Sequence, residues 1–510
     1  MTVESGEERE EFHAGSKRDL VAAARNALKL GGSLMATWAV ALVVRFHLPR
    51  HLGPESFGAY NFSESFAGAF SIFVGLGVET YIQKEISVRP EHATDFFGGV
   101  VVLRALLSSI LLTAMAAVLV VTHRPMETVY VAIVFGVAQF LASLNDMLGT
   151  MLQASTHVGG LAITNVIAKI VWGAGIIIGI WLGAPLWALA LPLVLSELLR
   201  VAFLFPATKI AIRLEFRVDP RVVKAVVLAS LPFYVNSMAI ALGARIDVSM
   251  LEYMATNDEV GWYGAANNLA SLAMLLAPIF SWVLMPLLSR AAKRSEGEVF
   301  VIVRRAIEGL VVASIPITLM IGLGADLWVK IVFGPAFAPA AMSLRVLAPI
   351  FVLTYVAMLL ASALIILNRS WTLTVTSVGG LIAMPALVWL LVPLGRRLGP
   401  GGAGTGASLA QVLMEALIVT SFFFTIGRSG FDKRSVTAIA KSVVVSLVVI
   451  AMHRALGWLG PARIAVDFIV YVLLAFAIGV VRYREIKDGL RALVSERRAA
   501  KQEEASDDAT

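Results

Sequence analysis

The sequence predicts an all-α, polytopic membrane protein of about 14 transmembrane helices, arranged as two six-helix lobes followed by two further helices. Three observations predict it. Hydrophobic residues make up 58% of the 510-residue chain and charged residues only 15%, against about 25% charged in ordinary soluble domains. Apolar runs of about 20 residues, the length that crosses a hydrocarbon core of about 30 Å, recur along nearly the whole chain. The short connections between them carry Lys and Arg in alternation, rich then poor.

In chain order, residues 1–19 form a polar cytoplasmic start, in which the acidic stretch Met1 to Glu11 and the length of the first apolar run argue against a cleaved signal peptide. The first lobe, 20–208, holds spans near 26–46, 58–82, 97–122, 128–152, 160–182 and 186–207. A basic linker, 209–224, with Lys209, Arg213, Arg217, Arg221 and Lys224, leads into the second lobe, 225–427. Its spans lie near 225–249, 262–288, 300–322, 344–367, 371–393 and 403–426, and two more, near 436–458 and 462–481, fill 428–482. The charged tail, 483–510, follows, and its arginines suit anionic headgroups or simple anchoring of the last span.

If each run crosses once, the Lys/Arg clusters of the start, the linker, 290–305, 428–441 and the tail share one side, with Arg396-Arg397 the main exception. The positive-inside rule makes that side cytoplasmic, with both termini there and the chain in the cytoplasmic membrane. The net charge of +7 is read as an orientation signal and not as a nucleic-acid footprint. The chain has no cysteine, which excludes disulfides, thiolate metal sites and cysteine nucleophiles. There is no Gly-Lys-Ser/Thr phosphate loop, no His-Glu-x-x-His and no Gly-x-Ser-x-Gly, so neither cofactor, metal nor enzymatic activity is expected. Gly399 to Gly404 is glycine-rich but follows no strand and reads as a turn.

Between the first two spans lies Leu48 to Asn61, in which Gly53-Pro54 breaks the helix. A weaker copy stands between the seventh and eighth. Glu55-Ser56-Phe57-Gly58-Ala59-Tyr60 and Asp258-Glu259-Val260-Gly261-Trp262-Tyr263 both place Gly-x-Tyr after an acidic and an apolar residue, 203 residues apart. Six spans per repeat is an even number, so the lobes would be parallel, with a cavity between them.

Polar residues inside spans are costly and mark helix contacts or a wet cavity. Gln139, Ser143, Asp146, Thr150, Gln153 and His157 recur at steps of three and four and share one helix face. Single ionisable residues are Glu64, Arg104, Lys169, Arg245, Asp247 and Glu415. An anionic diphosphate cargo needs cations, for which Arg104, Lys169 and Arg245 are the candidates, with Gln139, Ser143 and Asp146 as further cavity contacts. Glu64 and Asp146 are candidates for a coupling cation. Structural ion pairing competes with each of these readings. Pro232, Pro278, Pro316, Pro349 and Pro385 mark hinges or static bends.

The stretch Arg50 to Tyr60 resembles the first-loop signature of the polysaccharide biosynthesis protein family, the O-antigen-type oligosaccharide flippases of the multidrug/oligosaccharidyl-lipid/polysaccharide exporter superfamily. Gly75-Leu76-Gly77, Gln83-Lys84-Glu85-Ile86 and Ile331 to Phe337 are similar to family patterns too, and the resemblance covers about 25–490. It implies a MATE-like fold and a flippase that moves a polyprenyl-diphosphate-linked oligosaccharide across the membrane for exopolysaccharide, capsule or O-antigen assembly. The partners it implies are that lipid-linked sugar, membrane lipid, a polysaccharide polymerase and chain-length proteins. A cation-coupled multidrug or small-molecule exporter is the alternative. A membrane-embedded glycosyltransferase or polymerase is disfavoured by short outer loops without paired carboxylates.

Overall fold

In the computed structural model the described residues are 6–75, 78, 93–154, 158–212, 214–243, 246–276, 284–430 and 432–479. Among them, regular structure is entirely helical. We number the α-helices α1 Gly6–Gly75, α2 Ala93–Val121, α3 Met126–Ala154, α4 Val158–Trp181, α5 Leu186–Ile212, α6 Pro220–Gly243, α7 Ile246–Met254 and α8 Asn257–Ala270. There follow α9 Met285–Ala292, α10 Glu296–Leu323, α11 Ala325–Val332, α12 Ala340–Leu347, α13 Ile350–Ile366, α14 Ser370–Arg396, α15 Gly402–Ile426, α16 Lys433–Ala455 and α17 Arg463–Ala477.

Eleven stretches among the described residues are long and apolar enough to cross a membrane, and the protein is a multi-pass membrane protein. Fewer than the expected fourteen are counted because one stretch takes in two expected spans and two other expected spans include residues outside the described set. The first two expected spans run together in α1, which is broken at the single residue Gly53 (φ 73°, ψ 173°), where a loop was expected. That conformation is open to glycine at little steric cost. The span expected at 225–249 is covered by α6 and α7, with residues 244 and 245 outside the described set, and the one at 262–288 by α8, a 3₁₀ turn Ser271–Leu276 and α9, with residues 277–283 outside it.

Side-chain placement inverts the soluble pattern. On α2, Arg104 and Ser108 are buried while Leu106 (59%) and Ile110 (64%) are exposed. In hydrocarbon the polar groups must find protein partners and the apolar ones need not.

The chain divides into two compact units. The first comprises Met1–Asn268, Val329–Ser343 and Ser377–Gln411. Within it α1 packs on α3 and α4, α3 on α5, and α2 on α6. Its core joins Phe96, Phe97 and Val100 to Met147, Leu148, Met151, Leu161 and Leu204. The second comprises Leu269–Trp328, Leu344–Thr376 and Val412–Thr510. There Val299, Val303 and Ile307 of α10 pack with Leu359, Leu360 and Ala363 of α13 and Phe422 of α15. Val445 and Val449 of α16 meet Tyr471 and Ala475 of α17.

Candidate functional site

Inside the first unit, apolar helices bring together a group of opposite charges. Lys169 of α4 is half-buried with its Nζ 3.5 Å from the centre of the Trp172 ring. Glu64 and Glu197 act on it attractively, and Arg45 and Arg200 repulsively. On α5, Arg200 donates from Nη1 to Glu197 Oε2 (2.8 Å), one turn back, and lies 3.8 Å from Asp146 Oδ1 of α3. The same Glu197 oxygen accepts from Asn145 Nδ2 (2.8 Å), which also donates to the Glu197 carbonyl (2.9 Å). Three cations and three carboxylates are thus set in one bundle; Asp146 is its exposed member, and the others compensate part of one another's desolvation.

The expected polar stripe of α3 keeps to one face. Gln139, Ser143 and Thr150 are partly exposed and Asp146 and Gln153 exposed, while Asn145, Met147, Leu148 and Met151 are buried behind them. The hydroxyls of Ser143 and Thr150 turn back onto the carbonyls of Phe140 (2.7 Å) and Asp146 (2.8 Å). His157 lies outside the described residues, as does Arg245.

Arg104, the second candidate cation, lies at a junction of helices. It is fully buried and donates to the carbonyls of Ser143 (2.5 Å) and Gly75 (3.0 Å). These two bonds join α1, α2 and α3 through one side chain. Asp247 of α7 is likewise buried and accepts from the Tyr263 hydroxyl, which also lies 3.0 Å from Gln411 Oε1. Glu415, in the second unit, bonds to Thr354.

Glu197 and Arg200 were missed by the sequence reading, although both fall within the sixth expected span. A Glu-x-x-Arg pair in an apolar run is itself a signal, because the spacing lets each neutralise the other. Asn145 was passed over for its neighbour Asp146, and only packing tells which of two adjacent residues turns inward.

A second constellation lies where connections of the first unit meet. The two Gly-x-Tyr turns pack directly on each other. A methyl group at Gly58 would fall 1.9 Å from the Asn257 carbonyl oxygen, and one at Gly261 would fall 2.0 Å from that of Pro54. Each glycine faces the carbonyl four residues before the other, which is the reciprocal pattern of a two-fold contact. Around this seam, Trp262 Nε1 donates to the Ala336 carbonyl (3.0 Å), and Phe57 meets Phe337 edge-on at 6.1 Å. Glu259 accepts from the backbone N–H groups of Gly401 (2.8 Å) and Gly404 (3.1 Å) at the start of α15. Arg124, in the α2–α3 turn, donates to Glu252 Oε1 (2.7 Å) and to the Glu252 carbonyl (2.9 Å) on α7.

The chain matches the polysaccharide biosynthesis protein family over residues 23–292, more than half its length. It belongs to that family. No curated protein matches it. Among solved structures, the lipid II flippase MurJ in an inward closed conformation is similar at a TM-score of 0.70 and 11% identity, covering 91% of this chain and 99% of that one. An inward-facing multidrug resistance MATE transporter of the MOP superfamily is similar at 0.59 and 16% identity, over 77% of this chain and 98% of that one. A MATE transporter of Vibrio cholerae, VcmN, is similar at 0.52 and 12% identity, over 81% and 100%. These likenesses establish the fold of this polysaccharide biosynthesis protein: all-helical, membrane-spanning and MATE/MurJ-like. The family match runs from within α1 to the end of α9, and takes in both the charged group and the glycine seam.

Proposed function

We propose that this protein is a flippase that carries a polyprenyl-diphosphate-linked oligosaccharide from the cytoplasmic to the outer leaflet for surface polysaccharide assembly, and that it is not an enzyme. The observation that carries the reading is that the family match spans the bundle in which Lys169, Arg45 and Arg200 sit among apolar helices. A diphosphate leaving the headgroup region needs cations on its path, and buried ionisable groups are otherwise too costly to keep. Lys169, backed by Arg200, is the cation assigned to the cargo; Gln139, Ser143 and Asp146 line the face of α3 beside it. The lobes are 20–208 and 225–427, with 1–19, the linker 209–224, the last two spans in 428–482 and the tail 483–510 around them. Both termini are cytoplasmic, and the Gly58–Gly261 seam faces outward. A polymerase and chain-length proteins act downstream.

Deleting the protein should abolish the surface polysaccharide while lipid-linked repeat units accumulate on the inner leaflet. Retained surface polysaccharide would refute the reading. A cation-coupled exporter stays as second reading because Glu64, Asp146 and Glu197 match the three cations in number. It requires that deletion sensitise cells to cationic dyes and leave polysaccharide intact.

A further inference from the structure

Glu252 is used neither by the charged group nor by the glycine seam. It sits between two expected spans, on α7, with its side chain 2% exposed. One carboxylate oxygen accepts from Arg124, while Oε2 is buried without a hydrogen-bond partner. Arg124 is held by more than this charge. Its second nitrogen bonds the Glu252 carbonyl, and its guanidinium carbon lies 4.7 Å from the Tyr253 ring centre and 5.5 Å from that of Phe62 on α1. Three of its four contacts therefore survive neutralisation of the carboxylate, and a neutral carboxyl still accepts through its carbonyl oxygen.

We propose that Glu252 is a proton-binding site, and that its pairing with Arg124 is a latch whose closed form takes up a proton. The latch ties the α2–α3 turn of the first lobe to α7 of the second, and its outward placement rests on the flippase reading above. Among the described residues, Arg124 is the charged group acting on the carboxylate; α1 presents Phe62, and α7 presents Tyr253, with its Asp247 turned to Tyr263.

Burial pushes the Glu252 carboxyl up from 4.5 to about 7, with Arg124 offsetting part of that rise. The sign follows from linkage. Released into water, Glu252 returns to the ordinary carboxylate range, so between pH 4.5 and 7 the closed latch holds a proton that the released form does not. Acid favours closure and alkali favours release, the reverse of a salt bridge broken by protonation. Over pH 8.5 to 5.5 the ratio of closed to released forms should rise about 30-fold.

The absence of cysteine gives a clean background for spin labels at Met126→Cys and Thr256→Cys, read by pulsed dipolar spectroscopy on the full chain in liposomes. The short-distance population should shrink as pH rises from about 5.5 to about 8.5, and E252Q should hold it constant at the acid level. A pH-independent distribution, closure favoured by alkali, or an unchanged pH response in E252Q would each overturn the proposal. The unsubstituted titration decides the sign by itself if E252Q folds poorly. The readout needs no cargo, so a failed latch and a failed flippase reading are distinguishable.

Discussion

An ionisable side chain in an apolar run announces a cost in the sequence but not who bears it. Arg104 and Lys169 look alike in the sequence, each a lone cation inside a span. The structure separates them: Arg104 bonds two backbone carbonyls with no exposure, whereas Lys169 lies against Trp172 among Glu64, Glu197, Arg45 and Arg200. Backbone carbonyls as partners leave no mark in a sequence, so the bonds of Arg104 to Ser143 and Gly75 were not legible there. Arg104→Met should therefore lower the thermal unfolding midpoint in detergent and the folded abundance, since two charge-assisted hydrogen bonds are lost at a cost of about 3 kcal/mol or more. Lys169→Met should reduce polysaccharide export by more than its loss of folded abundance accounts for, since its neighbours Glu64 and Glu197 also lose a compensating charge. An Arg104→Met protein that melts normally yet fails to export would return Arg104 to the cavity.

At the scale of elements, the turn around Gly53 and its copy were legible as a pair, because helix breakers and Gly-x-Tyr spacing are local signals. Their mutual contact was not, since nothing in either stretch says that it meets the other. Ser295 with Glu298 is a similarly local signature, and the hydroxyl does accept from the Glu298 N–H at 3.2 Å to start α10. The reciprocity of the seam makes a sharp prediction. Gly58→Ala and Gly261→Ala each drive a methyl group into an opposing carbonyl, so both should part the turns to a similar degree. A maleimide that cannot cross the membrane should then label Asn257→Cys faster in either background. Unchanged labelling in both, or a strong effect from only one, would show that the turns are not symmetrically packed. Gly53→Ala should cost about 1–3 kcal/mol of unfolding free energy, read as a lower unfolding midpoint, because φ 73°, ψ 173° is a backbone region essentially reserved for glycine.

The whole molecule was the most legible scale. Apolar run length and composition sufficed for an all-helical membrane protein, and the expected spans near 225–249 and 262–288, not counted as single stretches, each include residues outside the described set. Connections expected on one side also meet in the first unit. The α1 break and the α7–α8 junction touch through Gly58 and Gly261, the α2–α3 turn joins α7 through Arg124, and the Leu186 N–H donates to Glu127 Oε1 (3.3 Å). An even number of spans with this sidedness predicts that tags on both termini are shielded in intact cells while Glu55→Cys and Thr256→Cys are labelled from outside. A terminus accessible from outside would mean an odd number of crossings and would undo the parallel lobes.

The carboxylate of Glu259 carries a mechanical consequence. It stands two residues before Gly261 and grips the first N–H groups of α15, where Gly395, Gly402 and Gly406 let α14 and α15 run backbone to backbone. Whatever swings α8 away from Gly58 must drag this hairpin with it or surrender both hydrogen bonds. The carboxylate is placed as a tow-bar: while its two hydrogen bonds hold, a separation of the two turns would displace the helical pair.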